Sequence, residues 1–431
     1  MIIIGAGITG LTAGYTLQKA GQEVHILEAS DAPGGNINSE QHGPYLLECG
    51  PNTLLLNDQI YGLLHELGLA DSIKTASTGA KYRFVLRGGT YQRLPSGPGS
   101  FLFGGFFSFS EKWRIWKERG IRSITSGDES IDQFFRRRFG DTVADYAVGP
   151  FVSGVYAGDP HKLQIDLAFP DIVKHEAHHG SVIKGMMASR KKPQEHKGIF
   201  SLEGGLQALP NRLAEKLEGS IQYNSAVVAI RPASSGGWEV ETAKGEVLVS
   251  EQVAVCVPAF VLAACIEAWV PEEAAILKKV YYPATAGVYT AYKKSEVSHP
   301  LNGFGALHNH VETSETLGTI FNSTVFPDRC PADEVLLTTF VGGARHPEKA
   351  GFAKADIGEL ACLDHARFLG VKGKPVFQHV VQWPRGIPQY DAQLPAAMEV
   401  ADKLEAKGLI AAANWRGGIS VPACIARGLA F

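Results

Sequence analysis

The chain opens on an apolar run, Ile2–Ile4, that breaks into glycines and is followed by Ile8–Ala20, where apolar residues recur at helical spacing without a proline. A second short strand, Glu23–Leu27, completes a β-α-β opening. The segment "LLECGPNTLLL" (46–56) and a short helix around Tyr61–Leu69 continue this unit. At Lys81 the pattern changes: "KYRFVLRGGTYQRLP" (81–95) predicts a two-stranded ribbon turning at Gly88-Gly89. Residues 101–198 read as largely helical and end in the polar loop 189–197. A turn and amphipathic helix at 201–217 lead into strands at Ala226–Ile230, Trp238–Thr242 and Gln252–Cys256, expected as one antiparallel segment. Strand-rich text fills about 280–345. From about 375 the order returns to strand, helix, strand (408–414) and a last glycine turn.

This order predicts a mixed α/β (α+β) fold in which a Rossmann-like unit is interrupted by others. The expected division is a discontinuous nucleotide-binding domain (1–75, 199–265 and 375–431), a mainly helical region that faces substrate or membrane (76–198) and a substrate-binding sheet domain (266–374). A chain of 431 residues exceeds one ordinary core, which agrees with several domains.

The opening glycines carry chemistry. Gly5, Gly7 and Gly10 form G-x-G-x-x-G at a strand-to-helix turn. Gly5 permits the tight turn, Gly7 lets the backbone approach a pyrophosphate, and Gly10 allows close helix packing; the helix N-terminus offers unpaired N–H groups. Glu28, eighteen positions beyond Gly10, ends the second strand, where a carboxylate accepts hydrogen bonds from ribose hydroxyls. Together these features predict dinucleotide binding.

Composition narrows the rest. The chain is 45% hydrophobic and 20% charged with a formal charge of −3, which fits a globular protein and gives no sign of a nucleic-acid partner. Six scattered cysteines (49, 256, 265, 330, 362 and 424), with no C-x-x-C pair, read as reduced thiols in a cytoplasmic protein. The glycine loop starts too near Met1 to leave room for a signal peptide, and no run of about twenty apolar residues follows.

The chain holds one G-x-G-x-x-G and no second, hence no evident nicotinamide module to reduce a flavin. A single FAD module implies electrons that come from substrate and leave to an external acceptor such as oxygen. "AANWRGGIS" (412–420) runs a strand into a Gly-Gly turn and a helix start, a second place to grip a long cofactor.

Several strings carry a resemblance: "GAGITGLTAG", "EASDAPGGNI", "ECGPNT", "FVSGVYAGDP", "LEGGLQALP", "NGFGAL", "TFVGGAR", "WPRGIPQY" and "GGISVPACI". Across nearly its whole length the sequence resembles the protoporphyrinogen oxidase family, FAD enzymes of haem biosynthesis related to the amine oxidases. The resemblance implies an amine oxidase-type FAD domain with FAD contacts at Gly5, Ala6, Gly7, Ile8, Thr9, Gly10, Leu11, Glu28, Gly35, Gly50, Pro51, Asn52, Val228, Trp383, Gly418, Ile419, Ser420 and Val421. It implies substrate contacts at Arg87, for a propionate, and at Gly154, Leu307, Ile320 and Phe340, with Ala157 and Gly158 small where the macrocycle passes.

The implied reaction takes six electrons from protoporphyrinogen IX in three hydride transfers to FAD, with hydrogen peroxide formed from oxygen. A coproporphyrinogen III oxidase, a flavin amine oxidase and a non-enzymatic porphyrin carrier stay open as alternatives. No acid, base or metal ligand is assigned. "HEAHH" (175–179) has zinc-protease spacing but no third ligand motif, and reads as a solvated helix face. Arg136–Arg138 read the same way. The stretch 100–122 carries five phenylalanines, Trp113 and Trp116 among five basic residues. It suits either a lipid interface or the lining of the substrate domain. Peripheral membrane contact and a homodimer stay open.

Overall fold

The computed structural model describes residues 1–123, 128–189 and 194–431; residues 190–193 of the polar loop expected at 189–197 lie outside them. Ile2–Ile4, buried on both faces, forms the middle of a five-stranded parallel sheet. Its order is Ile221–Gln222, His25–Leu27, Ile2–Ile4, Val253–Val255 and Leu409–Ala411. The strand Val253–Val255 corrects an expectation. It pairs in parallel with Ile2–Ile4 and Leu409–Ala411, not with an antiparallel neighbour. The antiparallel segment is built from Val227–Pro232, Trp238–Thr242 and a third strand at Val247–Ser250.

The first helix, Ile8–Lys19, packs beneath the parallel sheet, and the closing helix, Val421–Gly428, lies against it. A Cβ on Gly428 would stand 2.6 Å from the Thr12 Cβ, so a small residue there lets the two helices touch. Ala6, Ile8, Leu11, Val421, Cys424 and Ile425 share one core. The turns that open and close the chain are thereby brought together.

A seven-stranded sheet forms the second layer, in the order Phe377–Trp383, Thr285–Lys293, Glu334–Gly342, Gly318–Ile320, Gly305–Leu307, Arg83–Arg87 and Thr90–Arg93. The expected ribbon at 81–95 thus forms one edge of this sheet and Phe377–Trp383 the other. The helix Lys354–Leu369 covers one face through Ile357 and Ala361, packed on Ala286, Val288, Val341 and Val380. Over the opposite face lies the hairpin Ser39–His42/Tyr45–Glu48: Tyr45, Leu47 and Cys49 pack on Tyr289 and Ala291. Thr285–Lys293 is buried nearly throughout because both of its faces are covered.

Helices dominate between Pro98 and Ala188 among the described residues. Two expectations fail here. Arg138 is fully buried in an ion pair with Glu118, which is equally buried, and its Nη1 lies 3.4 Å from Glu176. Arg137 also pairs with Glu176, at 2.9 Å. Neither Arg136–Arg138 nor "HEAHH" is a plain solvated face, because Glu176 points inward to neutralise two guanidinium groups.

Candidate functional site

The opening turn is built as a cradle. Gly5 has φ +98°, a region that disfavours side chains, and a Cβ there would stand 2.9 Å from Val257. A Cβ on Gly10 would collide with the Gly5 carbonyl. Gly7 differs: its φ of −70° and ψ of 172° suit any residue, and a Cβ there would meet nothing within 4 Å among the described residues. The space it leaves free is therefore open rather than needed for packing. Ala6, Ile8, Thr9 and Leu11 are buried around this turn, presenting backbone rather than side chain. Glu28 accepts the Ala6 N–H at 2.6 Å through Oε2 and the Ser30 N–H at 2.8 Å through Oε1, which holds its carboxylate at the mouth of the glycine loop.

Two further glycine positions close on the cradle. Gly34 bridges to Gly7, and a Cβ on Gly35, where φ is +60°, would lie 3.3 Å from the Gly7 Cα. Gly50 packs so closely beneath Asn36 that a Cβ would strike the Asn36 carbonyl. Pro51 is half-buried; Asn52 donates from Nδ2 to the Gly50 carbonyl at 3.1 Å and accepts from Asn322 Nδ2 at 3.3 Å. Asn322 Oδ1 is buried without a partner among the described residues.

Val228 sits at a β-bulge. Its neighbours Val227 and Ala229 pair with Thr242 and Glu241, which leaves Val228 as the extra, half-exposed residue with backbone groups outside the ladder. At the closing turn the Gly418 N–H donates to the Tyr390 hydroxyl at 2.9 Å, and Ser420 caps the closing helix by accepting from the Ala423 N–H at 3.2 Å. Ile419 lies partly buried against the cores on either side, and Val421 starts the helix. Cys424 stands behind this turn, its thiol pushed up by burial.

The sheet supplies the second half of the site. Across the ladders Leu307 is opposite Gly318, Gly318 opposite Phe340, and Phe340 opposite Gly287. Ile320 lies two residues beyond Gly318, Trp383 two beyond Val381, and Arg87 two beyond Val85, the partner of Leu307. Side chains two apart share a face. Arg87, Leu307, Ile320, Phe340 and Trp383 therefore line one side of the sheet, the side that meets the hairpin and Gly50. Trp383 lies over Gly287, where a Cβ would be 3.1 Å from its ring. Leu307, Ile320 and Phe340 remain partly exposed although most of their neighbours are buried. Gly154 approaches Leu307 so closely that a Cβ would clash with its side chain. Ala157 adopts a left-handed conformation, φ 48°, and Gly158 abuts Gln389 and Leu163.

Arg87 is engaged. Its guanidinium donates to the Phe106 carbonyl and, at 3.0 Å, to Glu111, between the rings of Phe106 and Tyr146. Burial opposes ionisation of Glu111, but the Ser108 N–H, the Thr142 hydroxyl and Arg87 together hold its carboxyl below the usual range. Sequence reasoning missed Glu111, the Asn52–Asn322 bridge and Arg345. The Arg345 guanidinium lies 3.7 Å from Asp159 and has a buried Nη2 without a partner among the described residues. "TFVGGAR" and "YAGDP" both contained the signal, but nothing in either string places them side by side.

The residues fit a flavin dinucleotide: an open glycine cradle, a carboxylate at the ribose position, a bulged strand with free backbone groups, and a capped closing turn. Comparisons with known proteins agree. The family described as flavin containing amine oxidoreductase matches residues 8–426. The mitochondrial protoporphyrinogen oxidase of Nicotiana tabacum is 30% identical over 99% of this chain and 92% of its own length. The coproporphyrinogen III oxidase of Bacillus subtilis (strain 168) is 27% identical over 100% and 96%. A crystal structure from Exiguobacterium sp. 255-15, provisionally named a protoporphyrinogen oxidase, superposes with a TM-score of 0.82 at 22% identity, covering 100% of this chain and 96% of that one.

Proposed function

The chain belongs to the flavin-containing amine oxidoreductase family, and from that premise we propose that it oxidises a porphyrinogen, with protoporphyrinogen IX as substrate and molecular oxygen as acceptor. The balanced reaction converts one protoporphyrinogen IX and three O₂ into one protoporphyrin IX and three H₂O₂. Bound FAD supplies the two-electron acceptor for each step. Gly5–Leu11, Glu28, Gly35, Gly50–Asn52, Val228, Trp383 and Gly418–Val421 would hold it. This chain's own work is to bind and orient: Leu307, Ile320 and Phe340 offer an apolar platform, Gly154 lets a helix approach that platform closely, and Arg87 offers a guanidinium to one propionate.

The observation that carries the reading is the shared sheet face, which runs from Trp383 on one edge strand to Arg87 on the strand next to the other edge. A large apolar ring with an acidic arm matches a platform ending in a cation. The likeness to a coproporphyrinogen III oxidase keeps the four-carboxylate substrate as the second reading. Anaerobic mixing of the FAD-loaded protein with each porphyrinogen tests both. Rapid bleaching of flavin absorbance by protoporphyrinogen supports the proposal; bleaching by neither refutes it.

The domain division stays part of this proposal, with the strands Arg83–Arg87, Thr90–Arg93 and Phe377–Trp383 counted with the substrate sheet that they pair into. No helix among the described residues is long and apolar enough to cross a membrane. The stretch 100–122 divides. Phe106 and Phe107 are buried against Val85, whereas Phe103 and Phe109 are 91% and 85% exposed, beside exposed Leu102, Trp113 and Trp116. Aromatic residues among Lys112, Lys117 and Arg119 suit an anionic lipid surface. We place peripheral contact there, and flotation with anionic vesicles tests it.

A further inference from the structure

Where the hairpin crosses the edge strand Phe377–Trp383, three donor side chains converge, and a fourth, His42, joins them through Glu40; neither the cofactor cradle nor the substrate platform uses them. Glu40 and His42 are two apart on one strand and so share a face. Cys49 follows the partner strand, its N–H bonded to the Asn38 carbonyl at 2.7 Å. His379 comes from the sheet edge, opposite Tyr289. A carboxylate oxygen of Glu40, the Cys49 Sγ and a ring nitrogen of His379 all lie within 4.8 Å of one another. His42 Nε2 is 2.8 Å from Glu40 Oε2, and that same oxygen is 3.9 Å from His379 Nε2. The two imidazole rings are 4.5 Å apart between centres.

We infer that Glu40, His42, Cys49 and His379 form a binding site for a borderline-soft divalent cation, with Zn²⁺ the best match, that ties the hairpin to the sheet. Two imidazoles, one thiolate and one carboxylate make a tetrahedral donor set for zinc, whereas Ca²⁺ and Mg²⁺ require oxygen ligands. Donors bonded at about 2.0–2.3 Å to one ion stand roughly 3.3–3.8 Å apart. The donors of Glu40, Cys49 and His379, within 4.8 Å of one another, must close by roughly 1 Å to reach that, with His42 drawn in from its contact with Glu40. A surface ion pair of Glu40 with His42 would account for neither the buried thiol nor the second imidazole. On binding, the Cys49 thiol releases its proton to solvent and a sulfur–metal bond forms, with no change of oxidation state. Cys49 directly precedes Gly50, and His379 lies four residues before Trp383, so the cation would brace two segments that flank the flavin. The site does not depend on which substrate is oxidised.

The test uses tag-free FAD-loaded protein, stripped with a chelator and titrated calorimetrically with ZnCl₂, followed by zinc X-ray absorption of the one-to-one sample. One equivalent should bind with a single sulfur in the metal's shell, and C49S and H379Q should each weaken binding about 100-fold or more. Flavin absorbance and zinc-free melting of each variant show whether it has folded; E40Q or H42Q, at half-exposed positions, replaces one that has not. Failure to find a one-equivalent site, a shell without sulfur, or wild-type affinity in any folded variant overturns the inference.

Discussion

Gly7 and Gly35 face each other across the mouth of the opening turn, so that a Cβ on Gly35 would stand 3.3 Å from the Gly7 Cα, while a Cβ on Gly7 would enter open space. None of the described residues requires the Gly7 hydrogen, and its backbone angles are ordinary. The reason to keep it small is what lies in that space. Replacement of Gly7 by valine should leave circular dichroism unchanged while flavin absorbance disappears from the purified protein. A variant that retains FAD at wild-type stoichiometry would show that the cradle is not the pyrophosphate site.

On the proposed reading, Arg87 exchanges part of its contact with Glu111 for a substrate carboxylate. Arg87→Ala should raise KM about tenfold or more with a smaller effect on kcat, since a charged hydrogen bond contributes about 1.5–3 kcal/mol. Glu111→Gln should lower KM by releasing the guanidinium. Steady-state kinetics on both variants separate a binding role from a merely structural one, in which Glu111→Gln would not improve KM.

Glu48 ends the hairpin that covers the sheet. Burial pushes its carboxyl up, against the pull of Arg329 at 2.8 Å and of Ser39. Removal of the charge leaves the Arg329 guanidinium buried with the Ser201 hydroxyl and the Phe326 ring but no counter-charge among the described residues, so Glu48→Gln should cost about 3 kcal/mol in urea unfolding. The double variant with Arg329→Met should cost less than the two single changes together.

His365 is buried between the Thr339 hydroxyl at 2.7 Å and the Tyr292 hydroxyl at 3.0 Å. Burial, with a smaller push from His308, takes its imidazole down to about 3. A histidine whose folded pKa is depressed binds fewer protons folded than unfolded. Its contribution is therefore full above the unfolded value of about 6.5 and falls as pH drops towards 3. Between pH 7.5 and pH 5 the stability should fall by about 2 kcal/mol from this group. His365→Gln should be less stable at pH 7.5 and should lose this part of the pH dependence, as urea unfolding at the two pH values will show.

Local signals were legible in the sequence and distant ones were not. G-x-G-x-x-G and Glu28 lie within one β-α-β unit, so spacing alone places them at one turn. Val253–Val255 reads as part of the antiparallel segment because a three-residue strand buried throughout shows no alternation, and its true partners Ile2–Ile4 and Leu409–Ala411 lie far along the chain. Arg138 resembled a surface arginine because Glu118 and Glu176, which neutralise it, come from separate helical segments. The platform residues are ordinary apolar strand positions; only the register of five strands puts Leu307, Ile320 and Phe340 beside Trp383. Arg87 was readable as a cation near a turn, but its tie to Glu111 depends on a helix that packs onto the ribbon.

The most direct test of the central claim is aerobic turnover of the FAD-loaded protein with protoporphyrinogen IX and coproporphyrinogen III, following porphyrin fluorescence and oxygen uptake together. The account predicts protoporphyrin formation with three O₂ consumed and three H₂O₂ formed per porphyrin. Protein that holds FAD fully yet oxidises neither porphyrinogen would contradict it.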